Sequence, residues 1–383
     1  MTQENPNVGT SAALQLALWT LFAGNFIIGT GILLPAGMLN DLSQGLGVSP
    51  AAIGLLMLAG GIVISLGAPV FATLTSGFDR RLLLTGSLVF YAAGHALSAL
   101  APDFWTLLVL RALTVISAGI FTPQAAATVG LMMPAEKRAG AVAFIFIGWS
   151  IASVAGMPSG SLIAAFVGWR VAYAIMAVLA LVSAIMVWRS LPGGLHAGKL
   201  SLNAWRDVFA DPVLIMILLV TLASASGQFA VFSYLALLFK ELLGASPALI
   251  AGLLAGFGAA GVAGNFLAAR FVGRMGVEHM ILLALVALFL GMMIFSATLG
   301  VLIGALANSL QQSRLIAHAP ALASASVALN TSTIYLGQAI GAGVGGRFVA
   351  QHALIWLTPV ASLFAVGAIG LTLIASRLAR RRK

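Results

Sequence analysis

Apolar segments long enough to cross a lipid bilayer follow one another along almost the whole chain. A membrane-spanning α-helix needs about 20 apolar residues at a rise of 1.5 Å per residue. Twelve such segments lie between the few charged residues and the clusters of Pro, Gly, Asn and Asp. They are residues 13–39, 50–73, 82–100, 104–131, 139–167, 171–188, 212–239, 247–269, 280–299, 300–317, 321–349 and 355–375. Since 61% of the residues are hydrophobic and 7% are charged, we expect an all-α membrane protein with twelve transmembrane helices.

The positions of lysine and arginine predict the orientation of these segments. Short cytoplasmic loops of membrane proteins are enriched in both residues. If the N-terminus is cytoplasmic, all but four of the 19 Lys and Arg residues fall on the cytoplasmic side. The exceptions are Arg170, Lys240 and Arg347 in outer loops and Arg111 within segment 4. We therefore expect a multi-pass protein of the plasma membrane, the inner membrane in bacteria, with both termini in the cytoplasm. Topology then explains the net charge of +10, which does not indicate a nucleic-acid partner.

The sequence lacks the residue patterns of a hydrolytic or redox membrane enzyme. It has no cysteine, no His–Glu metal-binding spacing and no Walker-type Gly-Lys-Ser motif. Metal-assisted chemistry and ATP hydrolysis need such groups. We therefore expect a protein that is not an enzyme and takes no cofactor or metal. A monomer is the expected oligomeric state. Its expected partners are the lipid bilayer and a small-molecule substrate.

The chain also repeats itself at an offset of 197 residues. The matched pairs are Ser49-Pro50 with Ser246-Pro247, Gly61 with Gly258, Gly67 with Gly264, and Pro123 with Pro320. Each Ser-Pro pair predicts a helix N-cap followed by proline at the first helical position. We infer two pseudo-symmetric six-helix halves, residues 1–191 and 212–383, joined by a polar cytoplasmic linker over residues 192–211. Internal repeats are typical of secondary transporters, whose halves rock around a central site; a receptor or scaffold is the alternative.

Three short motifs resemble those of one transporter family. Residues 72–81, after segment 2, have the sequence ATLTSGFDRR; residues 107–111, in segment 4, are LLVLR; residues 156–160, in segment 5, are GMPSG. Together they resemble the major facilitator superfamily, and within it the twelve-helix drug and sugar efflux antiporters of the arabinose-efflux type. The resemblance implies that superfamily's fold and the export of small organic solutes, such as drugs, sugars or nucleosides, by alternating access with proton antiport. Ser76 replaces the aspartate of the family's loop motif.

Two groups of residues are candidates for a conformational role. Arg80 and Arg81 follow segment 2 and are either a latch or anchors on the positively charged side of the membrane. Gly156, Pro158 and Gly160 resemble the antiporter motif of segment 5. Small residues at such spacing let helices approach closely, and proline bends a membrane helix. Segment 11 carries a comparable series, Gly337, Gly341 and Gly345.

Candidate substrate-binding residues lie in segments 1, 4, 7 and 10, which line the cavity in the family that this chain resembles. They are Asn25, Arg111, Gln124, Gln228, Tyr234, Asn308 and Gln312. A guanidinium in a membrane segment costs about 3 kcal/mol on insertion scales, so Arg111 is expected to face a cavity or a partner. Snorkelling of Arg111 toward the outer interface is the alternative. For the other polar residues the alternative is a hydrogen bond that joins two helices. Phe229 and Phe232 are among the aromatic residues that could supply stacking surface.

Energy coupling has no obvious carrier in the sequence. Proton antiporters generally carry a carboxylic acid within the membrane, yet all nine Asp and Glu residues fall in termini or loops. Histidine titrates near neutral pH when exposed, and the candidates inside helices are His95 in segment 3 and His318 at the cytoplasmic end of segment 10. His95 is the weak candidate for proton coupling within the membrane. Asp41 and Asp103 lie near the outer mouth and would serve only if the loops fold inward. A proton-driven exporter and a proton-independent facilitator or metabolite exporter therefore both stay open.

Overall fold

The computed structural model describes residues 11–75, 77–196, 202–298, 311, 314–315, 318 and 323–381, and the regular elements within them are helices. The α-helices are α1 Ser11–Gly37, α2 Leu39–Leu46, α3 Pro50–Leu74, α4 Arg80–Ala99, α5 Phe104–Thr114, α6 Ile116–Met132, α7 Ala135–Ile151, α8 Met157–Phe166, α9 Trp169–Ser190, α10 Leu202–Ala210, α11 Pro212–Phe232, α12 Leu235–Leu243, α13 Pro247–Met275, α14 Val277–Thr298, α15 Ala323–Ala350 and α16 Leu357–Arg381. A π-helical turn, Ala152–Gly156, joins α7 to α8, and a 3₁₀ turn, Leu354–Trp356, precedes α16.

Nine helical stretches in the described part of the chain are long and apolar enough to cross a membrane. They are Ala12–Gly37, Pro50–Phe71, Arg80–Ala99, Phe104–Met132, Gly140–Phe166, Trp169–Ser190, Pro212–Phe232, Pro247–Gly264 and Leu354–Arg380. Val277–Met293 is apolar but shorter, and α15 is long but richer in Ser, Thr, Asn and Gln. Eleven of the twelve predicted segments thus coincide with described helices, and the tenth, residues 300–317, lies almost entirely outside the described residues. The prediction of an all-α membrane protein is confirmed.

Side-chain caps fix several helix starts at the positions that the sequence indicates. Ser49 accepts a hydrogen bond from the Ala52 N–H at 3.2 Å, with Pro50 at the first helical position. Its repeat partner Ser246 accepts one from the Leu249 N–H at 3.3 Å. An N-cap side chain satisfies one of the backbone donors that a helix start leaves unpaired. The two predicted Ser-Pro caps therefore begin α3 and α13 at equivalent points of the repeat.

Three predicted segments are interrupted where a single helix was the simplest expectation. Segment 4 divides into α5 and α6 at Val115, and segment 7 divides into α11 and α12 at Ser233 and Tyr234. Segment 5 contains the π-helical turn directly before Pro158. Proline lacks an N–H and its ring clashes with the carbonyl four residues earlier. The wider π-helical turn moves that carbonyl away, which explains the position of the interruption.

For description we divide the described helices at the linker into two groups, α1–α9 and α11–α16, which contact each other along a few defined seams. In the first group α1 packs against α7 and α9, and α4 packs against α9; in the second, α11 packs against α15 and α16. Between the groups, α3 packs against α15, and α13 packs against the π-helical turn and α8. We call the side of the bundle where α1 starts and α16 ends the terminal face, and the other side, where α3 and α13 start, the opposite face.

Candidate substrate cavity and surrounding polar contacts

A cavity of about 240 Å³ lies between the two helix groups. Its wall is formed by α1, α7 and the π-helical turn on one side and by α11, α13 and α15 on the other. The lining residues are Leu33, Trp149, Ser150, Ser153, Gln228, Phe229, Phe232, Phe257, Gly258, Gly261, Val262 and Ile334. None of these described residues carries an ionisable side chain. The wall combines four aromatic rings with two hydroxyls and one amide, a composition that suits an uncharged organic molecule.

The aromatic wall is held by contacts between rings and by one hydrogen bond. The Phe232 ring lies 5.5 Å from the Phe229 ring and 5.4 Å from the Phe257 ring, centroid to centroid. The Trp149 indole Nε1–H donates to Thr122 Oγ1 at 3.4 Å. These contacts orient rings from both helix groups toward one space. Phe229 and Phe232 were predicted to supply stacking surface, whereas Trp149 and Phe257 were missed.

Most of the missed lining residues belong to α7, the π-helical turn and α13, which the resemblance did not place at the cavity. Trp149, Ser150 and Ser153 share one face of the helix that leads into the π-helical turn, since residues three and four apart are neighbours. The signal that points to them is a polar and aromatic face beside the GMPSG motif, in a segment that is otherwise apolar.

Gln228 is the predicted substrate-binding residue that lines the cavity. Asn308 and Gln312 lie outside the described residues. Asn25 is fully buried, beside α7, and its amide group has no hydrogen-bond partner among the described residues. Arg111, Gln124 and Tyr234 are described below, because each makes its contacts outside the lining of this cavity.

Arg111 is buried, 3% exposed, and binds two backbone carbonyls of α1. Its Nη1 donates to Gly31 O at 2.7 Å and its Nη2 to Ile32 O at 2.8 Å. In an α-helix Gly31 O would accept from the N–H of residue 35, but that residue is Pro35, which has none. The guanidinium therefore supplies the donor that the proline removes, and fixes α5 to the proline turn of α1.

His95, the predicted proton-coupling residue, lies in the same buried cluster. Its Nδ1 is 2.9 Å from Tyr91 O, and its ring centroid lies 4.3 Å from that of Tyr91 and 5.8 Å from that of Tyr173. The Tyr91 hydroxyl donates to Ile28 O at 3.0 Å. A side chain at Gly31 would collide with this tyrosine and histidine. His95 is thus enclosed between α1, α4 and α9 and does not line the cavity described above.

Arg80 and Gln124 form a polar cluster at the terminal face. The buried Arg80 guanidinium donates to Gln124 Oε1, and Gln124 Nε2 donates to Thr75 Oγ1 at 3.3 Å. The Arg80 backbone N–H donates to Leu195 O at 2.9 Å. Gln124 therefore connects α6 to Thr75, which follows α3, and to Arg80 at the start of α4. Arg80 in turn binds the start of the linker through its backbone N–H.

Asp79 reinforces the same junction. One carboxylate oxygen accepts from the Leu82 N–H at 3.0 Å and the other from the Gly194 N–H at 2.5 Å. Partial burial opposes ionisation, but these backbone hydrogen bonds outweigh it and hold the pKa of Asp79 below its usual value. The Asp79 carboxylate therefore stays ionised at neutral pH and keeps both contacts.

Arg81 takes a different role, since its guanidinium lies 4.1 Å from the centroid of the Trp188 ring.

Tyr234 joins three helices near the opposite face. It is fully buried, and its hydroxyl donates to Ala342 O on α15 at 2.8 Å. A Cβ placed on Gly54 of α3 would lie 1.7 Å from the hydroxyl oxygen. The residue therefore links α3 and α15 across the boundary between the two helix groups.

Glycines in the π-helical turn, α8 and α15 mark close helix contacts. A Cβ at Gly156 or Gly160 would lie 2.0 Å from Thr30 Oγ1 or 2.1 Å from Leu34 Cδ1 on α1. In α15, a Cβ at Gly341 would lie 2.4 Å from Ser226 O on α11. Pro158 is buried just after the π-helical turn. A side chain at Gly341 would have to displace the backbone of α11, whereas one at Gly156 or Gly160 would have to displace the side chain of Thr30 or Leu34 on α1.

An ion pair between a buried arginine and a half-exposed glutamate near the terminal face was missed from the sequence. Arg314, 4% exposed, donates to both carboxylate oxygens of Glu278 at 2.7 and 2.6 Å, and also to Ser376 Oγ at 3.1 Å. The three residues come from α14, α16 and residue 314 between α14 and α15. A count of loop charges places each of these residues on one side of the membrane but cannot pair them.

Comparison with known sequences gives consistent matches. A family model described as Major Facilitator Superfamily matches residues 21–342. Inner membrane transport protein YdhP of Escherichia coli (strain K12) is 27% identical over 364 residues, which cover 91% of this chain and 93% of that protein. A probable sugar efflux transporter of Pasteurella multocida (strain Pm70) is 26% identical, over 91% of this chain and 89% of that protein.

Comparison with solved structures agrees. A bacterial homolog of the human lysosomal transporter Spinster, in an inward-facing and unoccupied conformation, superimposes with a TM-score of 0.73 at 17% identity, covering 97% of this chain and 99% of that chain. A D-xylose-proton symporter superimposes with a TM-score of 0.71 at 16% identity, covering 94% and 97%. The chain belongs to the major facilitator superfamily and is a multi-pass membrane transporter.

Proposed function

We propose that this transporter exports small, uncharged organic solutes by alternating access. The observation that carries the proposal is a cavity whose wall is shared by two helix groups and contains no ionisable side chain among its described residues. A neutral solute bound there contacts both groups at once, so movement of one group against the other exposes it to either side. The solute types that fit are drugs, sugars and nucleosides, and two relatives support the sugar type through their description as probable sugar efflux transporters.

The orientation of the protein is part of the proposal. The terminal face carries Arg80, Arg81 and Arg138, whereas Arg170 lies near the opposite face. This asymmetry supports a cytoplasmic terminal face under the positive-inside rule. The division into halves at residues 1–191 and 212–383 is proposed with it, because the packing within each helix group supports two units that move as bodies.

The test is solute movement in proteoliposomes, with a panel of labelled sugars, nucleosides and chloramphenicol-like drugs. We expect Gln228→Ala to raise the KM of the transported solute about fivefold, the effect of one lost hydrogen bond of about 1 kcal/mol. Gln351→Ala, at an exposed position after α15, is the matched control and should leave KM unchanged. If Gln228→Ala matches its control, the cavity is not the binding site; if no member of the panel moves, the proposed solute types are wrong.

The energy source has two candidates, and a specific observation favours each. Proton antiport is the mode implied by the resemblance, and Asp41 is the acid best placed for it. Asp41 lies on α2, which packs against α12 of the other helix group, where Asn40 Nδ2 donates to Ala236 O at 3.1 Å. Burial raises the pKa of Asp41 above its usual value, although Lys240 on α12 opposes the shift. A proton-independent facilitator is favoured by the uncharged cavity wall.

Asp41→Asn separates the two modes, because it removes the proton-binding group and keeps its shape. A raised pKa means that ionisation is disfavoured in the fold, so Asp41 gains its proton as the pH falls through a range above that of a free aspartate. For an antiporter we expect uphill export under a pH gradient in the original chain, and only equilibration in Asp41→Asn. Asp103→Asn is the control, since Asp103 is an exposed helix cap whose pKa is lowered by the Thr106 N–H. Uphill export that persists in Asp41→Asn would remove Asp41 from the mechanism, and equilibration in every variant would make the protein a facilitator.

A further inference from the structure

A short helix, α10, lies just before the first membrane span of the second helix group. It covers Leu202–Ala210, and its nine residues are too few to cross a bilayer. The span Pro212–Phe232 begins two residues later. Between them Asp211 has an extended backbone conformation, and its side chain accepts a hydrogen bond from the Val213 N–H. The helix is therefore broken at Asp211, which leaves α10 at the terminal face.

One side of α10 is fixed to the helices behind it. Val208 is fully buried in an apolar cluster that includes Leu214 of α11 and Leu329 of α15. Leu378 and Ala379, near the end of α16, pack against the same cluster. These contacts fix the rotation of α10 about its axis, so the directions of its exposed side chains follow from helix geometry.

The other sides of α10 differ in character. Successive residues of an α-helix are about 100° apart around the axis, so Phe209 and Asp207 project on opposite flanks of the buried Val208. Phe209 is 62% exposed, Asp207 is exposed, and Arg206 is exposed on the side opposite Val208. An apolar flank, an acidic flank and a cation between them suit a helix that lies in the plane of a membrane surface.

The end of α16 adds further cations next to α10. Arg377 and Arg380 are exposed. They lie on the side of α16 away from Leu378 and Ala379, since residues three apart share a helix face. Residues 381–383 continue the sequence with Arg-Arg-Lys. Basic residues clustered beside the end of a membrane span attract anionic lipid headgroups.

The acids near these arginines have partners of their own. Asp211 caps α11 and lies 3.3 Å from His318 Nε2, and Glu278 is paired with Arg314 at 2.6 Å. These are the two ion pairs among the described residues, and neither uses an arginine of α10 or of the end of α16. Asp207 projects away from the apolar flank. The positive charge of this surface is therefore available to an external anion.

We propose that α10 and the end of α16 form a docking surface for anionic phospholipids of the leaflet at the terminal face. The surface consists of Arg206, Phe209, Arg377 and Arg380. The arginines donate to the phosphate oxygens of the headgroups, and the Phe209 ring enters the boundary between headgroups and acyl chains. Membrane topology accounts for arginines at this face, but it does not require an exposed aromatic ring beside them. The contact anchors the second helix group to the leaflet and is separate from the solute cavity.

The first test counts lipids bound to the purified full chain in detergent by native mass spectrometry, with phosphatidylglycerol and phosphatidylcholine as probes. We expect tighter binding of phosphatidylglycerol by the original chain. The triple variant Arg206→Gln, Arg377→Gln and Arg380→Gln should weaken that binding about tenfold and leave phosphatidylcholine within about twofold. Because all three side chains are exposed, the variant is expected to fold normally.

A matched triple variant removes the same charge elsewhere on the terminal face. It should keep the affinity for phosphatidylglycerol within about twofold. Equal losses in the two triple variants would show general attraction to positive charge and overturn the proposal, as would no loss in either. The exposed positions changed in the control are Lys137→Gln, Arg189→Gln and Arg274→Gln.

Phe209→Ala tests whether the occupant is a lipid and not a soluble phosphate. We expect it to weaken the binding of phosphatidylglycerol about threefold, because part of a buried aromatic surface is lost. Phe78→Ala is the control, since Phe78 is 53% exposed in the loop between α3 and α4. Binding by Phe209→Ala as tight as by the control would mean that the ring lies in water, and would overturn the proposal of a membrane docking surface.

A second measurement leaves the three arginines and Phe209 unchanged. The chain has no cysteine, so Ala210→Cys, at an exposed position, can carry a single fluorophore. In vesicles we expect nitroxide-labelled lipids to quench this fluorophore more strongly with phosphatidylglycerol as the host lipid than with phosphatidylcholine. Quenching by aqueous iodide alone, in both kinds of vesicle, would place α10 in water. That result would overturn the lipid surface and favour a soluble protein partner.

Discussion

Replacing Arg111 with alanine is expected to abolish transport while the chain still inserts into the membrane. The side chain closes the gap that Pro35 leaves in α1, with donors at 2.7 and 2.8 Å from Gly31 O and Ile32 O. A buried carbonyl left without a donor costs about 1–3 kcal/mol. We therefore expect α1 to lose the fixed turn that places Leu33 at the cavity. Insertion should not suffer, since removal of a charge makes segment 4 easier to insert.

Arg111→Lys and Arg170→Ala sharpen this test. Lysine keeps the charge but cannot donate to two carbonyls in the fixed fork of a guanidinium, so an intermediate loss is expected. Arg170 also donates to a backbone carbonyl, Ala101 O at 3.0 Å, but near the opposite face, and its alanine variant should transport normally. The measurements are initial rates in proteoliposomes and solute KM. A raised KM with an unchanged maximal rate in Arg111→Ala would instead support the direct substrate contact expected from the sequence, and normal rates would remove Arg111 from the mechanism.

The fold was predictable from the sequence because hydrophobic length dominates the structure of a membrane protein. Backbone groups in the bilayer must be paired within the segment, so a sufficiently long apolar segment forms a helix. Even the starts of α3 and α13 followed from the Ser-Pro pairs that cap them. The interruptions at Val115 and in segment 7 could not be read in this way, since neither carries a proline or charge at the break.

The cavity was only partly predictable, for a physical reason that Gln228, Gln124 and Tyr234 illustrate. All three are polar residues in apolar segments, and the sequence cannot tell which one points to a cavity and which binds another helix. In the structure Gln228 lines the cavity, Gln124 binds Arg80, and Tyr234 binds Ala342 O. The partners of Gln124 and Tyr234 lie 44 and 108 residues away in the sequence. Such contacts depend on how the helices pack and leave no local pattern in the sequence.

The ion pair of Glu278 and Arg314 gives the second large effect. Arg314 Nε and Nη2 donate to the two carboxylate oxygens of Glu278 at 2.7 and 2.6 Å. Ser376 Oγ also donates to Glu278, at 2.5 Å. Removing one partner of a buried pair leaves the other charge desolvated without compensation. Because Glu278 itself is 46% exposed, water replaces part of what is lost. We expect Glu278→Ala to lower the free energy of unfolding by about 1.5–2 kcal/mol, the lower part of the range for hydrogen bonds to a charged group.

The double variant Glu278→Ala with Arg314→Met isolates the cause of that loss. Methionine fills the space of the guanidinium stem without a charge, so the double variant should recover most of the stability that Glu278→Ala loses. Glu241→Ala, at an exposed position of α12, serves as the control for removing one acid. The measurement is thermal unfolding in detergent, with size-exclusion chromatography used to quantify the protein that stays folded. If the double variant is no more stable than Glu278→Ala alone, an unpaired Arg314 is not the source of the loss. The hydrogen bond from Ser376 Oγ to Glu278 would then be what holds α14 against α16.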